Sequence, residues 1–445
     1  MYRIGIGFLF TFFIASVQLC AQSGGFNSPF SSFGIGDIVD PNPIHLRHMG
    51  GINASFVDNY HLNPVNPATY SYLRATAFDI GISANNTNLS DGEGNSFRDW
   101  SGNLEYLNIG FPLRNPLSEV FDREQRDLHF GMGFSLQPVS RVAFQIANDD
   151  VDEQLGNLSR EFIGDGGVFK VQWANSAKYK NFSFGVNIGY QFGTITFDRI
   201  VDFESLLAFD NQFTSEYVLR GFSYNVGGLY QLFLNKKEYT KDPNIDAKAI
   251  TFGIYGNTST SFTTNGTELF QNIAAGVTAA VTISDTLIFL DNIEGNGTLP
   301  AQLGIGATYL VGTSLSLGVN YAFTNWSQYE NEADPEQLLD AYKISLGGFY
   351  RPNVKSFNYT NRIYYRFGLT YGKGEREIEG NRLDEYSINA GLGLPFIYQR
   401  KISHINFGVE FGQRSFGNVL SETFVKLGLG LTFNDDEWFI KRKFN

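Results

Sequence analysis

The sequence contains a single cysteine, Cys20, which lies at the end of the first apolar stretch. Cleavage after Ala21 leaves none, which excludes disulfide bonds, thiolate nucleophiles and cysteine-ligated metals from the mature chain. Charge is also scarce, since 18% of the 445 residues are charged and the formal net charge is −12. No basic stripe is present that would displace counterions from phosphates, so we expect no nucleic-acid partner.

Long apolar runs are missing after residue 17, which excludes a transmembrane helix from the mature chain. The N-terminus has Arg3, the apolar stretch 4–17 and then the small residue Ala21. This pattern predicts a secretory signal peptide over residues 1–21, with cleavage near Ala21. A lipoprotein signal is not favoured, because Leu19 stands before Cys20 where a small residue is needed.

Glycine and aromatic residues are abundant, with 48 Gly and 42 Phe, and they follow a period of two. In "FSFGVNIGYQFG" (182–193), large apolar residues alternate with Gly, Ser, Asn and Gln. "LHFGMGFSLQ" (128–137) and "VKLGLGLTF" (425–433) repeat the pattern. A soluble sandwich has charged residues on its second face, whereas small polar residues suit the interior of a barrel whose apolar band faces lipid.

Such segments predict an all-β fold, a transmembrane barrel of about 14 antiparallel strands over residues 75–433. We expect both termini to be periplasmic, connections to be longer outside than inside, and residues 263–301 to form an apolar outer loop. A periplasmic tail is predicted over 434–445. The predicted strands are 75–88, 102–113, 127–146, 165–178, 181–196, 214–234, 247–262, 302–310, 314–328, 340–352, 361–374, 383–393, 403–415 and 421–433.

Residues 22–74 lack the alternation and contain two Asn-Pro pairs, Asn63-Pro64 and Asn66-Pro67, followed by Ala68. A residue before proline is held in extended geometry, and proline gives no N–H to a ladder. Asn66 before Pro67 suits an N-cap and first helical position, which predicts one short helix. Because irregular backbone at membrane depth is tolerated only inside the protein, we predict an N-terminal plug inside the lumen. A rigid turn ahead of the first strand is the alternative.

The predicted third strand carries Pro138, which removes a ladder bond in a wall that has no edge. Its apolar phase runs through residues 128–136 and resumes at Val142 and Phe144, so we expect both groups to face lipid and the strand to continue through Pro138. Five histidines are present, and we expect His45 and His48 to be solvated rather than metal-ligating. His129 and Ser135 lie about 20 Å apart along a strand, too far to form a catalytic pair. We therefore expect neither an enzyme nor a bound cofactor or metal.

Three runs resemble the FadL-type outer-membrane transporters of long-chain fatty acids and other hydrophobic compounds, as a divergent branch. They are Asn66-Pro67-Ala68, the hairpin 299–329 that opens with Leu299-Pro300 and closes with Trp326-Ser327, and "YKISLGGFYRP" (342–352). The resemblance implies a non-enzymatic barrel with passive passage of hydrophobic compounds. It also implies a lateral exit at the kinked third strand, near Pro138, Val139 and Ser140. A harmless bulge near the extracellular rim is the alternative at this position.

Two functions stay open from the sequence. The first is the passage of hydrophobic ligands, and the second is a structural role in a larger outer-membrane complex of the barrel-assembly or type IX secretion kind. The polar, glycine-rich inner faces favour the second function, because they offer a hydrophobic ligand few apolar contacts. The expected partners are outer-membrane lipid and lipopolysaccharide, together with hydrophobic ligands under the first function or other outer-membrane proteins under the second.

Overall fold

The computed structural model describes residues 28–92, 94–114, 127–152, 156–203, 209–242, 245–275, 281–398 and 401–435. The predicted signal peptide, Cys20, the start of the predicted plug and residues 436–445 of the predicted tail lie outside these ranges. Among the described residues, no helix has the length and apolar character needed to cross a membrane. The described ranges contain two short α-helices, α1 (Ile44–Arg47) and α2 (Lys236–Lys241), and 3-10 turns at Pro29–Ser32, Pro67–Tyr72, Trp326–Gln328 and Tyr359–Arg362.

One antiparallel sheet contains all eighteen described strands and closes on itself through pairing of the last strand with the second. The strands are β1 (Asp37–Ile38), β2 (Thr76–Asp91), β3 (Ser96–Pro112), β4 (Leu128–Asp152), β5 (Gly156–Tyr179), β6 (Phe182–Phe203), β7 (Asp210–Phe233), β8 (Lys248–Asn257), β9 (Thr260–Ala275), β10 (Val281–Leu299), β11 (Gln302–Val311), β12 (Leu315–Thr324), β13 (Glu330–Asn331), β14 (Ala341–Tyr350), β15 (Tyr364–Ile378), β16 (Asn381–Tyr398), β17 (Lys401–Phe416) and β18 (Leu420–Asp435).

The wall of the barrel has fourteen strands, as predicted. β1 and β13 have two residues each and lie beside the wall, while β8 continues into β9 and β10 continues into β11 after interruptions of two residues. The alternation is confirmed on β6, where Phe182, Phe184 and Ile188 are 52–64% exposed on the lipid side. Asn187 and Gln191 are buried on the inner side.

Strand lengths differ around the barrel. β4 has 25 residues and β5 and β7 have 24 each, whereas β12 and β14 have 10 each. The long strands project at the far end, defined as the end opposite the start of β2 and the end of β18. The predicted asymmetry of the connections is therefore wrong, because the added length lies in strands while far-end turns such as 379–380 are tight. The predicted apolar loop 263–301 is likewise the β9–β10 hairpin.

A β-bulge at Val139 reverses the facing of the outer half of β4. Pro138 pairs with Phe169 but Ser140 pairs with Val168, so Val139 is one extra residue on β4. Because side chains alternate along a strand, one extra residue turns all later side chains to the other face. The strand does continue through Pro138, but the expectation that Val142 and Phe144 face lipid is wrong.

These inverted residues build an apolar layer inside the far end of the lumen. Val142 and Phe144 are 1% and 6% exposed and pack in one cluster with inward residues of the neighbouring strands. Leu299 and Trp326, both predicted from the family resemblance, belong to the same cluster. Its remaining members are Ile35, Val168, Ile195, Tyr217, Leu219, Phe262 and Tyr329.

The bulge therefore makes a specific prediction about stability. Phe144→Ala should lower the free energy of unfolding by about 3–5 kcal/mol, because it empties a packed internal site. Phe222→Ala is the matched control, since Phe222 is 73% exposed on the wall. Thermal unfolding of both variants in detergent measures the difference, and equal effects would contradict the inward placement of Phe144.

Candidate functional site

Residues 28–75 lie against the inner faces of the strands, and the polar inner residues satisfy their backbone. Asn187 on β6 donates to the Pro64 carbonyl at 2.9 Å, and Asn225 on β7 donates to the Val65 carbonyl at 2.7 Å. Asn320 on β12 accepts from the Ala54 N–H at 3.0 Å. Because a buried backbone group without a partner is costly, these asparagines give the irregular segment the bonds that a ladder would supply.

The two Asn-Pro pairs form a compact, hydrogen-bonded part of this segment. The Asn63 side chain donates to the Asn53 carbonyl at 2.7 Å and accepts from the N–H of Val65 at 3.2 Å. Asn66 caps the turn that begins at Pro67, accepting from the Ala68 N–H at 3.1 Å. The predicted short helix is therefore present, as a 3-10 turn, and all five predicted plug-motif residues, including Pro64, are buried.

Glycines on the inner faces allow the segment to approach the wall. A Cβ atom added at Gly131 on β4 would overlap the Tyr70 carbonyl, and one at Gly253 on β8 would overlap the Ala54 carbonyl. On the opposite side of the barrel, one at Gly347 on β14 would overlap the Met49 carbonyl. The abundant inward glycines thus mark where backbone meets backbone, which composition alone did not reveal.

Arginines from β15 and β17 hold the first part of the segment. Arg414 donates to both carboxylate oxygens of Asp37 at 2.9 Å and to Glu422 at 2.9 Å. Arg376 donates to the Gly36 carbonyl at 2.8 Å and contacts the Phe30 carbonyl. Hydrogen bonds between a guanidinium and a carboxylate are charge-assisted and are among the stronger protein contacts. These arginines were not predicted, although a charged residue among the inward-facing positions of a strand is a usable signal.

The histidines of this segment are buried, so the expectation of solvated residues is wrong. The ring centroids of His45 and His61 lie 4.8 Å apart, and those of His61 and His404 on β17 lie 4.6 Å apart. Burial, reinforced by Arg47, lowers the pKa of His48 to about 3, so His48 is neutral at physiological pH. Within the described ranges, no three His, Cys, Asp or Glu side chains are placed to hold a metal ion.

A cavity of about 310 Å³ remains beside the segment, and its lining is rich in charge. Carboxylates and basic groups of both signs face it, so it suits water and ions rather than an aliphatic chain. The charged lining residues are Asp37, Asp40, Arg47, Glu105, Arg141, Lys343, Lys373, Glu375, Glu385, Glu410, Arg414, Glu422 and Lys426. A second, apolar cavity of about 590 Å³ lies at the far end and is lined by Phe144, Phe162, Phe197, Phe213 and Phe270 among others.

The wall changes its pairing near the predicted lateral exit. β3 and β4 pair only from Leu107–Leu136 to Pro112–Gly131. Beyond Leu136, the free side of β4 bonds to β1, with the Val39 N–H donating to the Val139 carbonyl at 3.0 Å and Ser140 pairing with Ile38. Pro138, Val139 and Ser140 therefore lie where β4 leaves β3 and takes the N-terminal segment as its neighbour.

The residues of the predicted family-like hairpin lie at the far-end layer. Leu299 ends β10 and Pro300 lies in the break before β11. Trp326 begins a 3-10 turn that returns into the lumen, and the Ser327 N–H donates to the Asp340 carboxylate at 3.0 Å. The Leu-Pro and Trp-Ser pairs that carried the resemblance thus belong to a segment that caps the apolar layer.

Known structures share this fold, and an outer-membrane location fits it. The Pseudomonas putida toluene transporter TodX is 14% identical with a TM-score of 0.51, over 90% of this chain and 100% of TodX. A FadL homologue from Pseudomonas aeruginosa is 12% identical with a TM-score of 0.51, over 90% and 99% of the two chains. The barrel therefore has the FadL-type fold in a divergent form, as the sequence resemblance predicted.

The particular family follows from the sequence model that matches residues 3–445, described as BamG. The chain belongs to the BamG family. A search of curated proteins finds no match.

The glycine contacts predict that the N-terminal segment packs closely against the barrel wall. Gly253→Leu should displace residues around Ala54, because the new side chain takes the place of that backbone, and trypsin should then cleave at the buried Arg47. Gly102→Leu is the control, since nothing lies within 4 Å of a Cβ there. Limited proteolysis of the folded barrels measures the effect. Equal resistance of both variants would contradict the close packing of the segment against Gly253.

The arginine contacts predict an energetic coupling. In a double-mutant cycle of Asp37→Asn and Arg414→Gln, the two changes should be coupled by about 1.5–3 kcal/mol, the range for hydrogen bonds to charged groups. Denaturant unfolding of the four proteins measures the coupling. Additive effects would show that the pair does not hold the segment in place.

Proposed function

We propose that this barrel is a non-conducting structural subunit of an outer-membrane barrel-assembly complex. One observation carries the proposal, namely that the N-terminal segment contacts inner faces around the barrel, and we infer from these contacts that it acts as a fixed plug. The cavity left beside it is lined by charged groups, which a hydrophobic ligand would have to desolvate at considerable cost. The apolar layer above it is packed with side chains. A continuous hydrophobic pathway through the lumen is therefore not favoured.

The family name also supports the function as a structural subunit. BamG points to barrel assembly, which is one of the two complexes that the sequence left open. The FadL-type relatives share only the fold at 12–14% identity, and a fold can serve unrelated functions. A barrel without through-passage can offer its outer wall and its projecting strands to other proteins.

Native purification tests this function directly. A tag in the exposed turn 379–380 is expected to recover the protein together with fixed amounts of other outer-membrane proteins, including one with a barrel-assembly function. Quantitative mass spectrometry after mild detergent extraction measures the ratios, with an unrelated tagged barrel as control. Recovery of this chain alone would contradict the subunit function.

Passage of hydrophobic compounds is the second candidate, and two observations favour it. β4 separates from β3 beyond Leu136, which supports a lateral exit at Pro138–Ser140 through which a ligand would leave the wall sideways. The apolar far-end cavity offers a capture site for a long-chain fatty acid or a similar compound. In this function the plug has to move, which requires the Asp37–Arg414 contact to open.

A proline substitution distinguishes the two candidates. Under passage, Pro138→Val should restore ladder bonding near the exit and reduce uptake of a labelled long-chain fatty acid. Under the structural function, uptake should not depend on this protein at all. Pro395→Val on β16, within a stretch paired to β17, is the matched control. Uptake that falls only in Pro138→Val would overturn our preferred function.

A further inference from the structure

One long part of the chain has no basic residue. From Ala249 to Tyr342, 94 residues contain no Lys, Arg or His, while nine are Asp or Glu. This stretch runs from β8 to the start of β14 and includes the whole β9–β10 hairpin at the far end. Segments elsewhere in this protein mix both signs, whereas this stretch contributes only negative charge.

The outer part of β10 is an edge strand. On one side it pairs with β9 along its length, but on the other side it pairs with β13 only at Gly297 and Thr298. Among the described residues, no register pairs residues 281–294 with a strand on that second side. Its neighbours in the wall, β12 and β14, are too short to reach it at 10 residues each.

Residues 285–294 of this segment are exposed on both faces. All ten residues from Asp285 to Glu294 are exposed, and Leu287, Phe289 and Leu290 are 47%, 61% and 49% exposed. Register shifts between Thr286 and Ile288 and at two other points place side chains on both sides. An open hydrophobic edge of this length readily pairs with another chain, and natural proteins usually cover it.

The charges define what would cover this edge. Asp285, Asp291 and Glu294 lie within the exposed run, and Glu332 lies at its lower end, where it accepts from the Asn296 N–H at 2.6 Å. Unpaired backbone groups require an extended partner, and a row of carboxylates without local counter-charges favours basic side chains on that partner. A second copy of this chain would bring like charges together and is disfavoured.

We propose that the outer edge of β10 docks a cationic, extended segment of another protein by strand addition. This inference rests on the proposed function, since it assigns one contact within the complex. The partner strand continues the projecting sheet beyond β10 and covers Leu287 and Phe289, while its Lys or Arg side chains face Asp285 and Asp291. Lipid and lipopolysaccharide would not supply the backbone bonds that the edge requires.

The test is site-specific photo-crosslinking in cells that make the whole complex. A photoreactive residue replaces Thr286, Ile288 or Leu290 in turn, with Phe222 on the lipid-facing wall as the control position. Mass spectrometry of the adducts should show one basic segment of one partner, with the crosslinked residue advancing by about two for each step of two along β10. Adducts that are absent, scattered over several proteins, on lipid or on a second copy would overturn the proposal.

A charge reversal provides the second readout. Asp285→Lys with Asp291→Lys should reduce the adduct at Ile288 about ten-fold or more, because like charges then meet across the edge. Asp149→Lys with Asp150→Lys, an exposed acidic pair on β4, is the matched control and should leave the adduct unchanged. Equal adduct in both variants would overturn the cationic partner.

The outcomes also separate this inference from the proposed function. If partners co-purify but the β10 adduct is missing, this inference fails while the proposed function stands. If nothing co-purifies, the proposed function itself fails.

Discussion

The need to satisfy buried backbone determines this structure. A chain segment that is neither helix nor strand can lie at membrane depth only where other groups bond its N–H and C=O groups. Here the inward Asn187, Asn225 and Asn320 make those bonds, and the inward glycines allow the close approach that the bonds require. Prolines 64 and 67 help because each removes an N–H that would otherwise need a partner.

The inner face of the barrel therefore carries the groups that bond the backbone of residues 28–75. Asparagine, serine and glycine recur there because they match the backbone of residues 28–75. The arginines at 376 and 414 complete the fit by bonding the carbonyls and the Asp37 carboxylate of its first part. The outer wall and the projecting strands are the exposed surfaces of the barrel.

The number and phase of the wall strands follow from the alternation of residues, and that part was predictable. The Asn66 cap and the inner placement of the Asn-Pro pairs were also predictable, because proline and capping have local causes. The facing of Val142 and Phe144 was not, since a bulge at Val139 depends on its pairing with β5. The burial of His48 depends on Gly391, Gly408 and Gly428, on strands more than three hundred residues away, which local patterns do not encode. The β9–β10 hairpin was mistaken for a loop because residues 285–294 of β10 are all exposed and do not alternate in polarity.

The central claim is that the lumen is closed by its own N-terminal segment. Ion conductance of the purified wild-type barrel in a planar lipid bilayer tests this claim most directly. We predict no stepwise openings at neutral pH, because the packed segment and the apolar layer above it leave no continuous water path. Stable, long-lived open steps from the wild-type protein would contradict it.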